Sequence, residues 1–271
     1  MRMTCFTWVM FMAVDFVVGV LFPMKQIAGH NVLAWSSGAN AIVAVSVGFL
    51  ASSAPWRRLQ LALALSAVPL AIQVVNVIEG VIFLKVDTVI LWSLAASPLK
   101  YALIVPLWAA IFRPAADSPP RYPVLPTRTI GGMLWRFVLC DFIYLIIYFV
   151  AGIFVISLPF VRDFYATQTM PSLGQVVALQ LLLRGPVFVG VCALLARMMG
   201  RPGLFAAVTV GLSFTLISGV APLIQPSPFF PDPVRWVHFC EVTGSNLLFG
   251  IVVALIWPKR PAAELPESAA A

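Results

Sequence analysis

Eight long apolar runs constrain the fold of this chain more than any other feature of its sequence. Each is about as long as the roughly 20 residues that a helix needs to cross a bilayer. Only 10% of the 271 residues are charged, against roughly 25% in an average soluble domain, so they cannot cover a polar exterior. We therefore predict an all-α, polytopic transmembrane helical bundle of about eight spans, over residues 4–22, 32–53, 60–84, 88–112, 135–158, 174–197, 203–224 and 234–257.

The apolar runs leave little room for a separate soluble domain. We expect a single transmembrane domain over residues 1–257, interrupted by a cytoplasmic linker at 113–128 that is rich in Pro and Arg. Residues 258–271 are predicted to form a disordered cytoplasmic tail.

The Lys and Arg residues between the runs predict the orientation. With eight spans, one side holds eleven of them and the other side four (Lys25, Lys85, Arg162 and Arg235). The side richer in Lys and Arg is normally cytoplasmic. We expect the chain to lie in the cytoplasmic (inner) membrane, with both termini in the cytoplasm. Membrane lipids are the expected partners. The net charge of +7 is explained by these loops, so no nucleic-acid partner is predicted.

Two fragments recur on either side of the linker and favour an internal repeat. The pattern F-x-x-x-D-F occurs at 11–16 and again at 137–142, and the segment that begins at Ser97 resembles the one that begins at Ser245. We interpret these matches as a 4+4 parallel duplication with halves 1–112 and 129–257, in preference to a chance likeness between apolar segments.

Ionisable side chains inside the spans are the candidates for a functional site, because each costs at least about 2.5–3.5 kcal/mol to insert into a bilayer. Four acids and only two bases occupy this depth, so some acids are expected to be protonated or to bind a cation. The candidate substrate- or proton-binding residues are Glu79, Lys100, Arg184, His238, Glu241, Asp15 and Asp141.

Two polar stripes mark the third and the eighth run. Residues three or four apart share one face of a helix, so we expect these stripes to face each other or a common cavity. Interhelical hydrogen bonding alone is the simpler interpretation for the amides and Ser245. The stripes consist of Gln73, Asn76 and Glu79, and of His238, Glu241 and Ser245.

Lys100 and Arg184 each lie two residues from a proline, Pro98 and Pro186. A proline inside a helix frees a backbone carbonyl, and such interruptions often line binding sites in membranes. Each base would either pair with a buried acid or bind an anionic part of a ligand. Asp15 and Asp141, which the repeat relates, would approach its axis as a pair, either as a proton relay or as hydrogen-bonding groups.

No catalytic or cofactor motif is present. The sequence lacks H-E-x-x-H, G-x-S-x-G, a Walker loop and a dinucleotide fingerprint, so no cofactor is expected. His238 and Glu241 supply only two potential metal ligands, and we predict no metal. The four Cys residues occur singly and are expected to be buried as small apolar side chains.

Three functions are compatible with the sequence. The first is a small permease with a polar cavity, in which Glu79, His238 and Glu241 carry protons while Lys100 and Arg184 hold an anionic solute. The second is a membrane-embedded enzyme for a lipid or isoprenoid substrate, with His238 and Glu241 as acid and base. The third is a non-catalytic assembly subunit. The sequence does not decide whether the protein is an enzyme.

Overall fold

The described part of the chain is entirely helical. The computed structural model describes residues 2–21, 32–54, 56, 58–83, 100–101, 129–168, 170–199, 203–227 and 230–257. Within these ranges there are eight helices and no strand. They are α1 (Arg2–Leu21), α2 (Val32–Ser53), α3 (Arg58–Phe83), α4 (Ile130–Ile156), α5 (Pro159–Ala166), α6 (Leu173–Met198), α7 (Leu204–Ile224) and α8 (Asp232–Ile256).

Six of these helices, α2, α3, α4, α6, α7 and α8, are long and apolar enough to cross a membrane. Together with α1, which contains the shorter apolar segment Thr7–Phe16, they correspond to seven of the predicted runs. The prediction of a helical membrane bundle is thus confirmed for the described residues. The fourth run, 88–112, lies outside them apart from the helical Lys100 and Tyr101, as do the predicted linker at 113–128 and the tail at 258–271.

Helices α7 and α8 pack against each other through glycines. A Cβ atom on Gly250 would come within 2.7 Å of the Gly211 Cα, and one on Gly211 within 2.8 Å of the Leu247 carbonyl oxygen. Small residues let helix backbones approach closely where lipid removes the usual hydrophobic driving force. The largest apolar core, which includes Phe214 and Phe249, extends from this contact to α2, α3 and α6.

We predict that Gly250→Leu destabilises the protein, because the new side chain must push α7 and α8 apart. Overpacking of this kind costs about 1–3 kcal/mol. Thermal unfolding in detergent should show the loss. The matched control is Gly244→Leu on the same helix, where a Cβ would meet nothing within 4 Å. Equal melting temperatures for the two variants would contradict this packing.

Two π-helical segments interrupt α6 and α7. They cover Gln180–Arg184 and Leu216–Val220, and each ends two residues before a proline, Pro186 or Pro222. In α6 the backbone N–H of Gly185 donates to the Gln180 carbonyl five residues earlier. The interruption expected beside Pro186 is therefore a π segment, which adds one residue to a turn and changes the face on which the preceding side chains lie.

Arg235 joins the two helices at the end of the bundle where α7 passes into α8. Its side chain is 2% exposed and donates to the carbonyl oxygens of Leu223 and Ile224, which end α7, and to Asp232 in the first turn of α8. This guanidinium satisfies helix-end carbonyls that would otherwise lack partners. Pro233 lies in the first turn of α8, where its missing N–H costs nothing. Helix α8 thus begins at Asp232, inside the proline-rich segment that follows α7.

The short helix α5 lies in the connection between the predicted runs 135–158 and 174–197. Pro159 stands at its start, where proline is well tolerated. Val161 of α5 packs with Val155 and Val234 in a second, small apolar cluster. This cluster fixes α5 against the ends of α4 and α8.

The prediction that all four Cys side chains are buried is wrong for two of them. Cys140 and Cys192 are buried, but Cys5 and Cys240 are exposed. A thiol is apolar enough to face lipid as well as protein, so residence in an apolar run does not determine burial.

Candidate functional site

A row of polar side chains follows one face of α4, which is otherwise strongly apolar. Asp141, Tyr144 and Tyr148 are spaced by three and four residues, so they lie within an arc of about 60° and extend about 10 Å along the helix. Tyr144 is buried, and Asp141 and Tyr148 are partly buried. The face points into the bundle, because the Tyr144 ring packs edge-on against Phe188 of α6 and Phe249 of α8.

The π segment of α6 brings a buried ion pair to this face. Arg184 pairs with Glu79 of α3 through its Nη1 atom, and both side chains are largely buried. Gln180, one turn earlier, donates to Glu79 Oε1 at 3.4 Å and accepts a hydrogen bond from the Tyr144 hydroxyl at 3.3 Å. The Arg184 guanidinium also lies over the Phe188 ring, 5.0 Å from its centroid. One extra residue in a helical turn thus places a base and an amide beside α3 and α4 together.

Next to this pair, α5 and α8 form a chain of three titratable side chains. The Tyr165 hydroxyl lies 2.7 Å from His238 Nε2, and His238 Nδ1 lies 3.6 Å from Glu241 Oε2. Ser245 donates to Glu241 Oε1 at 3.3 Å. Burial raises the pKa of the Tyr165 hydroxyl, and Tyr148, Glu79 and Glu241 act in the same direction. Tyr165 therefore keeps its proton at neutral pH and can donate a hydrogen bond to His238.

The ion pair and the Tyr165 chain belong to one cluster. Glu79, Arg184 and Glu241 all interact electrostatically with the hydroxyls of both Tyr144 and Tyr148. We call this set the polar column. It consists of Asp141, Tyr144, Tyr148, Glu79, Gln180, Arg184, Tyr165, His238 and Glu241.

Asp141 lies nearer the N-terminus of α4 than the other α4 residues of the polar column. A Cβ on Gly185 would overlap Asp141 Oδ1, so only glycine allows this carboxyl to approach α6 so closely. Among the groups that the structure describes, that oxygen has no hydrogen-bond partner although it is buried. A carboxyl group left in this state marks a position where a proton or a ligand would be stabilised.

Lys100 and Asp15 form a second ion pair elsewhere in the bundle. Lys100 Nζ lies 2.8 Å from Asp15 Oδ1 and also donates to Asn40 Oδ1. Asn40 in turn donates to the Asp15 carboxylate. Of the two roles open to Lys100, pairing with an acid is the one the structure displays. Asp15 and Asp141, related by the proposed repeat, have different surroundings.

The structure brings together four of the seven predicted site residues, Glu79, Arg184, His238 and Glu241, and places Asp141 at the edge of the same cluster. The described partners of Glu79 in the α3 stripe come from α6, and those of Glu241 in the α8 stripe are His238 and Ser245 of α8 itself. Sequence reasoning missed Gln180 and the tyrosines. For Tyr144 and Tyr148 the available signal was their spacing from Asp141, which puts all three on one helix face.

No metal-ligand set is formed by the described residues, among which no three His, Cys, Asp or Glu side chains come together. No protein-family model matches the sequence, and comparison with curated proteins and with solved structures finds no match either. The interpretation of the site therefore depends on its own geometry.

We predict that Arg184→Gln destabilises the protein by about 3–5 kcal/mol, because it leaves the Glu79 carboxylate buried without a counter-charge. The double variant Glu79→Gln/Arg184→Gln should recover much of that loss, since two amides can hydrogen-bond to each other. Denaturant unfolding in mixed micelles measures both. Arg162→Gln, at an exposed position of α5, is the matched control. A double variant no more stable than Arg184→Gln would show that the pair is not coupled.

Proposed function

We propose that this integral membrane protein is a small permease that couples the movement of a charged solute to protons through the polar column. The observation that supports this most is the concentration of titratable side chains in the polar column. Asp141, Tyr144 and Tyr148 lie on one face of α4, Glu79, Arg184 and Glu241 act on both of these tyrosine hydroxyls, and Tyr165 contacts His238. A non-catalytic assembly subunit needs hydrogen bonds between helices but no such concentration of acids, bases and hydroxyls.

The proposal places the chain in the cytoplasmic (inner) membrane with eight spans, arranged as a 4+4 repeat with both termini in the cytoplasm. The excess of Lys and Arg on one side supports this orientation. It puts His238, Glu241 and Tyr165 toward the outer face and Asp141 toward the cytoplasm. The fourth run supplies the span that makes the number even.

Topology reporters should check the arrangement. We expect a fluorescent protein fused after residue 257 to be fluorescent, and alkaline phosphatase fused after residue 168 or after residue 227 to be active. A phosphatase fusion after residue 128 is the control that should be inactive. Active phosphatase after residue 128 together with inactive phosphatase after residues 168 and 227 would reverse the assignment of the two faces.

In the proposed mechanism, protons enter from the outer side through Tyr165, His238 and Glu241. Tyr165 lies 2.7 Å from His238, and His238 lies 3.6 Å from Glu241, so a proton needs no long step from one group to the next. Arg184 binds the anionic part of the solute, which replaces the Glu79 carboxylate on the guanidinium. The Lys100–Asp15 pair is assigned to holding α1, α2 and the fourth run together.

Transport itself is tested in proteoliposomes that contain a pH-sensitive dye. A panel of small organic acids, amines and sugars is added outside, and wild-type protein should acidify the lumen with at least one of them. Because the relay must accept and release protons, Glu241→Gln and His238→Phe should reduce this flux to the level of empty vesicles. Asp163→Asn, at an exposed position, should retain it. Full flux in Glu241→Gln would refute the relay.

One observation favours an enzyme as the alternative. A tyrosine, a histidine and a glutamate in sequence provide a positioned acid and base, and Arg184 could bind the phosphate of a lipid or isoprenoid. An enzyme would change a substrate chemically without moving it, so product analysis in the same vesicles separates the two functions.

A further inference from the structure

We propose that the solute is a small organic monocarboxylate, and that the Glu79 carboxylate occupies the place of this ligand on Arg184 when no ligand is bound. The inference rests on the proposed function only in taking the polar column as the path of the solute. It adds the chemical class of the ligand and the exchange by which that ligand enters.

The unused donors of Arg184 are the first observation. A guanidinium carries five N–H groups arranged to hold a carboxylate through two of them. Here Nη1 contacts Glu79, while Nε is buried and has no partner among the described groups. A buried donor of a charged group that lacks an acceptor is costly. An incoming carboxylate would supply the missing acceptor.

Lys100, the other buried base, offers a contrast. Its Nζ donates to Asp15 Oδ2 and Asn40 Oδ1 and lies 2.8 Å from Asp15 Oδ1. Three acceptor oxygens thus lie within reach of the three N–H groups of the ammonium. Of these two bases, Arg184 is therefore the one with a buried donor left for a ligand.

The walls of the site limit the ligand. Phe188 covers the guanidinium face, and the Tyr144 ring lies edge-on to Phe188 at 5.5 Å between centroids. Both rings belong to the buried apolar core, so the surroundings of the guanidinium favour an apolar or aromatic body attached to the carboxylate over a hydrated one. The site already holds the acids Glu79 and Glu241, so a dianion such as a phosphate monoester would add charge that a single arginine does not offset.

Charge balance connects this ligand to a proton. A monocarboxylate that displaces Glu79 from Arg184 leaves the Glu79 carboxylate without its counter-charge, unless one proton accompanies the ligand onto Glu79. Of the described groups, Arg184 and Gln180 of α6 bond to Glu79. The hydroxyls of Tyr144 and Tyr148 of α4 and Tyr165 of α5 interact with it electrostatically, and Glu241 of α8 acts on the same three hydroxyls. Arg184 is the one base among them. The net change is one anion and one proton bound, with no change in the total charge of the site.

Calorimetry on the full chain in lipid nanodiscs tests this exchange. The probes are acetate, butyrate and benzoate, with benzamide as the uncharged analogue of benzoate and phenyl phosphate as the dianion. Titration in two buffers of different ionisation enthalpy counts the protons taken up. We expect at least one carboxylate to bind with uptake of about one proton, and benzamide and phenyl phosphate to bind at least tenfold more weakly.

Variants separate the two parts of the inference. Glu79→Gln should bind the carboxylate more tightly than wild type and without proton uptake, since its side chain no longer competes as an anion. Arg184→Gln should bind at least about 30-fold more weakly, as expected when one partner of a buried charge pair is removed. If that variant does not fold, Glu79→Gln/Arg184→Gln replaces it. The exposed control Arg162→Gln should bind as wild type does.

Three results would overturn the inference: no binding of any of the three carboxylates, unchanged proton uptake in Glu79→Gln, or equal binding of phenyl phosphate. Its failure is distinguishable from failure of the permease. Proton-coupled flux of amines or sugars that survives Arg184→Gln would support the permease function and refute a carboxylate as the solute. Carboxylate binding with proton uptake but without flux would support the binding site and refute the transport function.

Discussion

The contact between Arg184 and Glu79 is the interaction on which the rest of the site depends. A single charge is expensive inside a bilayer, so the base requires its acid partner wherever the chain places it. That requirement joins α3 to α6. Gln180 also donates to Glu79 and accepts from the Tyr144 hydroxyl, which brings in α4, and the tyrosines extend the polar surroundings toward α5 and α8.

Lipid as a solvent also explains why most of the architecture can be predicted by simple sequence arguments. Spans must be helices, because backbone groups have no water to bond, so the apolar runs predict helix positions within a few residues. Details that depend on contact between helices were not predictable. The close approach of Gly211 and Gly250 leaves no periodic signal. The short helix α5 begins directly after Leu158, close to the end of α4. A connection between two spans at this position would normally be taken for a loop.

The candidate site, like the fold, was predictable from the sequence only in part. Insertion cost alone selects Glu79, Arg184, His238 and Glu241, since charged groups in spans are few. It does not select Tyr144, Tyr148 and Tyr165, because a tyrosine in an apolar run is compatible with ordinary packing and only the fold shows that their hydroxyls share one cluster. The partner of Arg184 likewise depends on the contact between α3 and α6, since Glu241 or an Asp would have served equally well by charge.

The π segment in α6 has a consequence for how such a site can originate. One residue added to a helical turn rotates the earlier part of the helix by roughly 100° relative to the later part. Gln180 and Arg184 therefore owe their common direction to the length of the chain as much as to the identity of its residues. A binding surface of this kind can arise or vanish by a single-codon insertion or deletion, while each side chain that composes it stays the same.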